Sequence, residues 1–376
     1  MSDVISPQKT MKTKYCKNGP ISNNFFNQWN INDELSHVLA GAANMALARN
    51  TWSNYTTVEN HINRCSLQLN TDLSFPWDIE KTLKFIGYLK TDRNCAAKTI
   101  DCYLSAVRMS HLSRGIDSPH LRQPIVKMII KGFAHSDALK SKLEKKLGRF
   151  PVTVPVLKYI RRKLQKINWP IEKRQRVWAV ATLLWGGSLR CHEALSRECK
   201  EYDETTTLLF EDVKFCDAKI DGKWEKLLKI KLKCPKESSV GNGVVIEVFR
   251  NDTFLCAAKA LKKYLKTCPV KLEAGKPLFR TPNGANYTGR QFNQDLAEIT
   301  ADITDGTQGV IRSHSFRAGV ASEMGLCGFS DDQIMAAGRW SSLAFKVYCK
   351  LPRSKRMNQQ HELVNMILDR SNRKEN

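Results

Sequence analysis

The chain has 376 residues, and 60 Lys or Arg against 37 Asp or Glu give it a formal net charge of +23 at pH 7. This excess indicates a polyanionic partner, with nucleic acid as the first candidate. A membrane partner is disfavoured because the longest apolar run, 177–185, is far shorter than the ~20 residues that span a bilayer. The length favours two domains with tails, and the 42% hydrophobic content favours globular packing.

The first residues contain no apolar segment of the kind found in secretory signals, and the twelve cysteines form no C-x-x-C pair. We therefore expect reduced thiols in an intracellular protein. The sequence also contains no carboxylate cluster that would hold a metal ion, so we expect neither a metal nor another cofactor.

The N-terminal part is predicted to be helical after a polar arm. Residues 1–35 show no hydrophobic period and are predicted to form a flexible basic arm. Residues 36–139 predict a small all-α domain, because apolar side chains recur every three or four positions. Its helices are expected at 51–69, 78–90, 97–115 and 121–134.

A basic interdomain linker is predicted at 140–152. The longer stretch 140–176 contains thirteen basic and two acidic residues and is broken by Pro151 and Pro155. Charge runs of this kind are usually solvated, but this one could also lie along a phosphate backbone. The residues alone are compatible with both interpretations.

Residues 153–355 predict a second domain that is mostly α with a small antiparallel sheet. The run "RVWAVATLLWGG" is apolar all round and predicts a buried helix that ends at Gly186 and Gly187. Alternation of Leu or Ile with Lys in "KLLKIKLK" predicts a half-buried strand. The other elements expected are a helix at 188–196 capped by Ser188, strands at 208–215 and 243–250, helices at 253–266, 288–301 and 314–326, a helix with a Ser330 capping box, and a helical tail at 356–376.

Two short motifs in this domain carry charged side chains at helical spacing. Arg190 and Glu193 are three residues apart, so that the carboxylate can orient the guanidinium. His314 and Arg317 have the same spacing at the start of a predicted helix, where the helix dipole also favours an anion. Taken singly, each pair is more simply explained as a surface pair.

A lysine and two aromatic residues complete the set. Lys236 follows the alternating strand in a predicted hairpin loop, and Lys233 competes with it for the same role. Trp340 and Tyr348 lie in "AAGRWSSLAFKVYCK", and Tyr348 is the only tyrosine after Tyr287. An isolated aromatic residue is more often part of the core, so only its partners give it a functional meaning.

The order Arg, Lys, His-x-x-Arg, Trp, Tyr resembles that of the tyrosine recombinases, the family of phage integrases and Cre-type enzymes. The matching segments are "GGSLRCHEAL", "KCPKES", "SHSFRAGVAS" and "AAGRWSSLAFKVYCK". The segment "AAKTIDCYLSAVRMSHLSRGI" is also similar to the helix with which the family's all-α domain faces DNA. The form "GRWSS-x-AF-x-x-Y", one residue shorter between Trp and Tyr than in many integrases, looks most like that of the crypton and DIRS-type recombinases of eukaryotic mobile elements.

The resemblance implies a SAM-like core-binding domain and a catalytic domain with the DNA breaking-rejoining fold. It also implies that Tyr348 attacks a phosphodiester to give a 3′-phosphotyrosine and a free 5′-hydroxyl. Arg190 and Arg317 would bind the non-bridging oxygens, where negative charge develops in the transition state.

The remaining motif residues would assist this reaction. His314 would donate to the phosphate or accept the tyrosine proton. Lys236 would protonate the departing 5′-oxygen, and the Trp340 indole N–H would donate a hydrogen bond. Glu193 would steady Arg190.

We expect double-stranded DNA as the partner, bound mostly through phosphates. The candidate contacts are Lys98 on the DNA-facing helix and, in the linker, Lys142, Lys145, Lys146 and Arg149. Each could equally be a solvated side chain. The resemblance further implies a dimer on each site, a tetramer in synapsis, docking of the C-terminal tail within or between protomers, and a nuclear location, with which "PRSKR" at 352–356 is compatible.

Three other functions remain open from the residues alone. A type IB topoisomerase would use the same chemistry as a monomer, although the integrase-like N-terminal helices disfavour it. A DNA-binding protein derived from a recombinase could lack catalysis. A basic helical scaffold with chance motifs is the fourth and weakest interpretation.

Overall fold

The computed structural model describes residues 21, 25–26, 29–46, 49–143, 150–233, 243–303 and 310–349, without the side chains of 49–50, 52–53 and 142–143. The chain divides into two compact units, Met1–Lys146 and Leu147–Asn376. The ten cysteines among the described residues are free thiols. No helix within those ranges is long and apolar enough to cross a lipid bilayer.

The first unit is all-α. Its helices are α1 (Asp33–Met45), α2 (Arg49–Gln68), α3 (Ile79–Thr91), α4 (Ala97–Leu112) and α5 (Pro124–Leu143), with a 3-10 turn at Pro119–Arg122. Periodicity predicts α2 to α5 but not α1, which begins inside the segment predicted to be an arm. The side chain of Asn32 caps α1, and the α1 residue Asn44 bonds both backbone groups of Ile21.

A buried histidine ties α4 to the segment before α3. His111 is fully buried, and its Nε2 accepts a hydrogen bond of 3.0 Å from the backbone N–H of Trp77. Its Nδ1 lies 2.8 Å from the Val107 carbonyl oxygen, which can only accept. His111 is therefore neutral, with its proton on Nδ1, and burial lowers its pKa.

The second unit is built around one apolar helix. Its elements are α6 (Val154–Lys166), α7 (Ile171–Gly186), α8 (Cys191–Ala194), β1 (Val213–Ile220), β2 (Lys223–Leu232), β3 (Val244–Phe249), α9 (Ala257–Thr267), α10 (Gly289–Ile299), α11 (Ser313–Leu326) and α12 (Asp331–Gly338). The α7 residues from Val177 to Leu184 are all buried, as the apolar run predicts. Helix α7 packs against α6, α9 and α11.

The three strands form one antiparallel sheet in the order β1-β2-β3. The predicted alternation in β2 is confirmed, because Leu228, Ile230 and Leu232 are buried while Lys231 is exposed. The residues between β2 and β3, 234–242, lie outside the described part of the chain.

The strand predicted at 208–215 exists, but its predicted bounds were wrong. Strand β1 begins at Val213, and Phe210–Asp212 is a 3-10 turn. The cause is local: the Asp212 carboxylate accepts a hydrogen bond of 2.9 Å from the Leu209 N–H, which bends the chain before the strand starts.

The predicted helix at 188–196 is only one turn long. Ser188 does not cap it, since its φ of 46° is left-handed and the N-cap is Arg190. At the other end, Ser196 pairs with Thr288 in an isolated parallel bridge, which pulls the chain into an extended conformation. The capping box of Ser330 and Gln333 on α12 is confirmed.

Helix α11 approaches the backbone before α6 very closely. The N–H of Val152 donates a 2.8 Å hydrogen bond to the Ser315 carbonyl oxygen of α11. A Cβ atom on Gly319 would lie 1.9 Å from the carbonyl oxygen of Val152, so only glycine allows this contact. The position of α11 therefore depends on Gly319.

We predict that Gly319→Ala lowers the free energy of unfolding of the second unit by about 3 kcal/mol, because the clash is with backbone and not with a flexible side chain. Urea unfolding measures the change. Gly132→Ala in α5, where a Cβ meets nothing within 4 Å, is the control and should be neutral or stabilising by about 0.5–1 kcal/mol. Equal effects of both substitutions would contradict the packing argument.

We predict that the first unit loses stability as the pH falls below about 6.5. The pKa of His111 is lowered in the fold, so the unfolded state binds the proton first, and stability present above the unfolded pKa is lost below it. The loss is at most about 1.4 kcal/mol per pH unit for this residue. Burial lowers the pKa of His61 and His120 as well.

Hydrogen exchange of the Trp77 amide at pH 7.5 and 5.5, corrected for intrinsic rates, tests this. The unfolded state takes up a proton at His111 as the pH falls through about 6.5, so opening becomes easier and protection should be lower at pH 5.5. The exposed His135 supplies the control, since His135→Gln should leave the pH dependence unchanged. Undiminished protection at pH 5.5 would contradict the predicted loss of stability.

Candidate active site

The site begins where α7 ends. Arg190 is the N-cap of the one-turn helix α8, and Glu193 is its third residue. Glu193 accepts two hydrogen bonds from Arg190, one of 2.8 Å from the backbone N–H and one of 2.9 Å from Nη1. The Arg190 side chain is 12% exposed and that of Glu193 is 4% exposed. The predicted pair therefore exists, but its carboxylate is buried and its guanidinium is largely buried, so it is not a surface pair.

A second arginine completes the environment of Glu193. Arg339 is the C-cap of α12 and has a left-handed φ of 52°. Its Nη2 donates a 2.9 Å hydrogen bond to Glu193 Oε2. Burial opposes the ionisation of Glu193, but the charges of Arg339 and Arg190 and their hydrogen bonds outweigh it and hold its pKa below the usual range. Glu193 is therefore a buried anion that joins α8 to the end of α12.

Arg317 reaches the same place from α11. It is 5% exposed, and its Nη1 donates a 2.6 Å hydrogen bond to the Ser188 carbonyl oxygen. Arg339 Nη2 donates to the same oxygen at 3.1 Å. The left-handed turn at Ser188 thus presents one carbonyl to two guanidiniums, and three arginines from three elements converge around Glu193 and Ser188.

Trp340 is placed against Arg317. The Arg317 guanidinium carbon lies 4.5 Å from the centre of the Trp340 ring, which is a cation–π contact. A Cβ atom on Gly338 would lie 1.6 Å from a carbon of that ring, so glycine is needed for the ring to pack there. Trp340 therefore fixes one face of the Arg317 guanidinium.

Tyr348 lies just after the 3-10 turn Leu343–Val347 and is half-buried. Its ring and that of Trp340 pack on one small cluster formed by Ala321, Ile334 and Phe345. The Tyr348 carbonyl oxygen accepts a 2.8 Å hydrogen bond from Ser322 Oγ on α11. The helix that bears Arg317 thus also holds the backbone of Tyr348.

His314 is an exposed residue in the first turn of α11. It is close enough to α8 for its charge to lower the pKa of His192, which burial lowers most strongly. In the same region, a Cβ atom on Gly289 would lie 2.7 Å from Cys191 Sγ. A hydrogen bond joins the Cys191 side chain to Ser313. These contacts pack α8 against the starts of α10 and α11.

The lysine candidates separate into two groups. Lys233 forms an ion pair of 2.8 Å with the buried Asp212 and donates a 2.7 Å hydrogen bond to the Glu204 carbonyl oxygen. Its ammonium group is therefore engaged in contacts next to the sheet. Lys236 lies outside the described residues. Among the predicted DNA contacts, Lys98 is exposed in the first turn of α4. Lys145, Lys146, Arg149 and the side chain of Lys142 lie outside the description.

Arg339 is the site residue that sequence reasoning missed. It stands directly before Trp340 in "GRW", and its charge after the small residues "AAG" at the end of α12 was the available signal. No periodicity argument distinguishes it from a surface arginine, because its burial comes from Glu193, 146 positions away.

No protein-family model matches the sequence, and no curated protein matches it. Solved structures do resemble the fold. The XerH site-specific recombinase, bound to palindromic difH substrate after cleavage, is 14% identical with a TM-score of 0.54, and the match covers 91% of this chain and 88% of that one. The Tn1549 transposon integrase, in complex with transposon right end DNA, is 12% identical with a TM-score of 0.51, covering 83% and 94%.

The pre-cleavage complex of XerH with difH gives a similar result, with a TM-score of 0.52 at 14% identity. Both proteins are tyrosine recombinases, and both matches extend over more than four-fifths of this chain. The chain therefore has the tyrosine recombinase fold, mostly helical with a small antiparallel sheet of three strands.

Proposed function

We propose that this protein is a site-specific DNA recombinase that cuts and rejoins strands through a covalent 3′-phosphotyrosine. The observation that carries the proposal is the convergence of Arg190 and Arg317 on Glu193 and Ser188, beside the cluster on which Trp340 and Tyr348 pack. The likeness to solved tyrosine recombinases supports it.

The arginines are arranged for a phosphate. Guanidiniums stay charged at any working pH and fork onto phosphate oxygens. Glu193 orients Arg190, and Trp340 packs on one face of Arg317, whose Nη1 donates to the Ser188 carbonyl oxygen, so both guanidiniums are held in place. Each preorganised donor of this kind is worth about 3–4 kcal/mol of transition-state stabilisation.

In the proposed step, the Tyr348 oxygen attacks phosphorus and the bond from phosphorus to the 5′-oxygen breaks. His314 accepts the phenolic proton and Lys236 supplies a proton to the departing oxygen, so the step needs no water. Lys233 is engaged with Asp212, which favours Lys236 for this role. The phosphotyrosine retains the energy of the broken bond for rejoining.

The biological setting is part of the same proposal. The "GRWSS-x-AF-x-x-Y" form supports a role in the integration or excision of a crypton or DIRS-type mobile element. A dimer on each site, a tetramer in synapsis and action in the nucleus accompany that role. The strongly positive charge supports duplex DNA as the substrate.

We predict that Tyr348→Phe abolishes covalent adduct formation on nicked suicide duplexes carrying candidate element ends, because the nucleophilic oxygen is lost. The assay is denaturing electrophoresis of labelled DNA. Tyr159→Phe is the control, since that hydroxyl bonds Asp302 elsewhere in the unit. It should leave the adduct intact.

The outcomes separate the alternative functions. An adduct that persists in Tyr348→Phe would remove Tyr348 as the nucleophile. No adduct on any end would favour a DNA-binding protein without catalysis. Nicking and resealing by a monomer, with no exchange of strands between duplexes, would indicate a topoisomerase.

We predict that Glu193→Gln lowers the free energy of unfolding of the second unit by about 3 kcal/mol, because it leaves two largely buried guanidiniums without their carboxylate. Adduct formation should slow by about 10–100-fold, the equivalent of one hydrogen bond to a charged group. Urea unfolding and single-turnover adduct rates measure the two effects.

Glu247→Gln is the matched control. Glu247 pairs with Lys229 at 2.8 Å on the sheet, where both side chains are at least 40% exposed. Exposed pairs contribute little, so this change should cost less than about 1 kcal/mol and leave the adduct rate unaltered. Similar losses in both variants would show that Glu193 has no special part in orienting the arginines.

A further inference from the structure

A strongly basic groove lies between α6, α7 and α9, outside the arginine cluster described above. Its cavity measures about 520 Å³. Five of its lining cations are Arg250, Lys259, Lys262, Lys263 and Lys266. Arg161 of α6 and Arg174 of α7 line it from the other side.

The groove holds little negative charge. Asp252 is its one lining carboxylate, and it is bonded to Lys259 at 2.5 Å. Throughout the described residues, no carboxylate lies within 4.0 Å of the other six cations. Like charges at this density repel each other, so a multivalent anion in the groove would be stabilised.

The lysines of α9 form a continuous stripe. Positions 259, 262, 263 and 266 follow helical spacing and so share one face over about 10 Å of helix. The side chains of Lys262, Lys263 and Lys266 are exposed. A linear anion could therefore contact several of them together.

Two aromatic rings hold Arg161 in place, and Arg174 Nη1 donates a 3.4 Å hydrogen bond to the Gln165 carbonyl oxygen. The Arg161 guanidinium lies 5.9 Å from the Trp178 ring and 5.6 Å from the Phe254 ring, and these rings stack on each other. Stacking uses the face of a guanidinium and leaves its N–H edge for an oxygen anion. Arg174 Nε is buried and has no hydrogen-bond partner among the described residues.

We propose that this groove binds the phosphate backbone of nucleic acid, as a second contact separate from the catalytic cluster. Arg174 lies twelve residues before Gly186 on α7, about 18 Å from the end that leads to Arg190. Phosphodiesters carry one charge on every nucleotide, whereas a peptide reaches that density only when nearly every residue is acidic. This contact does not depend on strand cleavage.

Lysine acetylation footprinting of the full chain tests the site. The protein is treated with an acetylating reagent with and without a 40-base-pair duplex at low salt, and each lysine is quantified by mass spectrometry. Lys262, Lys263 and Lys266 should be acetylated at least about threefold more slowly with DNA. The reference lysines Lys219, Lys223 and Lys271 are exposed, lie outside the groove and should not change. Tyr348→Phe protein should show the same protection, which separates this test from that of catalysis.

A charge-matched pair of variants gives a second readout. The groove variant carries Arg250→Gln, Lys263→Gln and Lys266→Gln, and the control carries Lys219→Gln, Lys223→Gln and Lys271→Gln. The measured quantity is the slope of the logarithm of the association constant for the duplex against the logarithm of the salt concentration. If the groove residues contact three phosphates, this slope should become less steep by about 2.7 in the groove variant only.

Several results would overturn the proposal. Equal protection of the reference lysines, or equal salt slopes in both variants, would show that DNA is attracted by the net charge of the protein and not by the groove. Protection by a twelve-residue polyglutamate peptide but not by DNA would make the groove a site for an acidic protein. Protection by tripolyphosphate alone would make it a site for a free polyphosphate.

Discussion

The candidate site depends on one buried anion. Glu193 is 4% exposed and receives hydrogen bonds from Arg190, three residues before it, and from Arg339, 146 residues after it. A carboxylate can be buried at this depth only when it is paired, and a guanidinium can be packed this tightly only against an anion or a carbonyl. Each charge thus makes the burial of the others possible, and the end of α7 is joined to the end of α12.

Helix α11 links the surroundings of Glu193 to the other motif residues. Its contact with the Val152 backbone at Gly319 fixes its position, and Arg317 then reaches the Ser188 carbonyl. One and a half turns further along, Ser322 bonds the carbonyl oxygen of Tyr348. The short interval between Trp340 and Tyr348 is spanned by a single 3-10 turn, and both rings pack on the same cluster.

Periodicity predicted elements whose burial follows from their own residues, such as the apolar helix α7 and the alternating strand β2. It failed where a polar side chain redirects the backbone. Asp212 delays β1. The Glu193 carboxylate binds the Arg190 N–H at the start of α8, and the bridge between Ser196 and Thr288 ends that helix after one turn. Of the candidate site, the motif order supplied five of the residues that the structure describes, and the spacing from Arg190 supplied Glu193. Neither supplied Arg339, whose partner is distant in sequence.

Helix α7 explains how two basic regions coexist in one unit. Arginines close together in space repel, so each group needs its own compensation. At the carboxyl end of α7 the compensation is Glu193 with the Ser188 carbonyl, while in the amino-terminal half the guanidinium of Arg161 rests on Trp178 and Phe254. Between them α7 buries mostly apolar side chains, and the helix length of about 18 Å from Arg174 to Gly186 exceeds a Debye length at physiological salt. An anion bound at one cluster therefore leaves the other available.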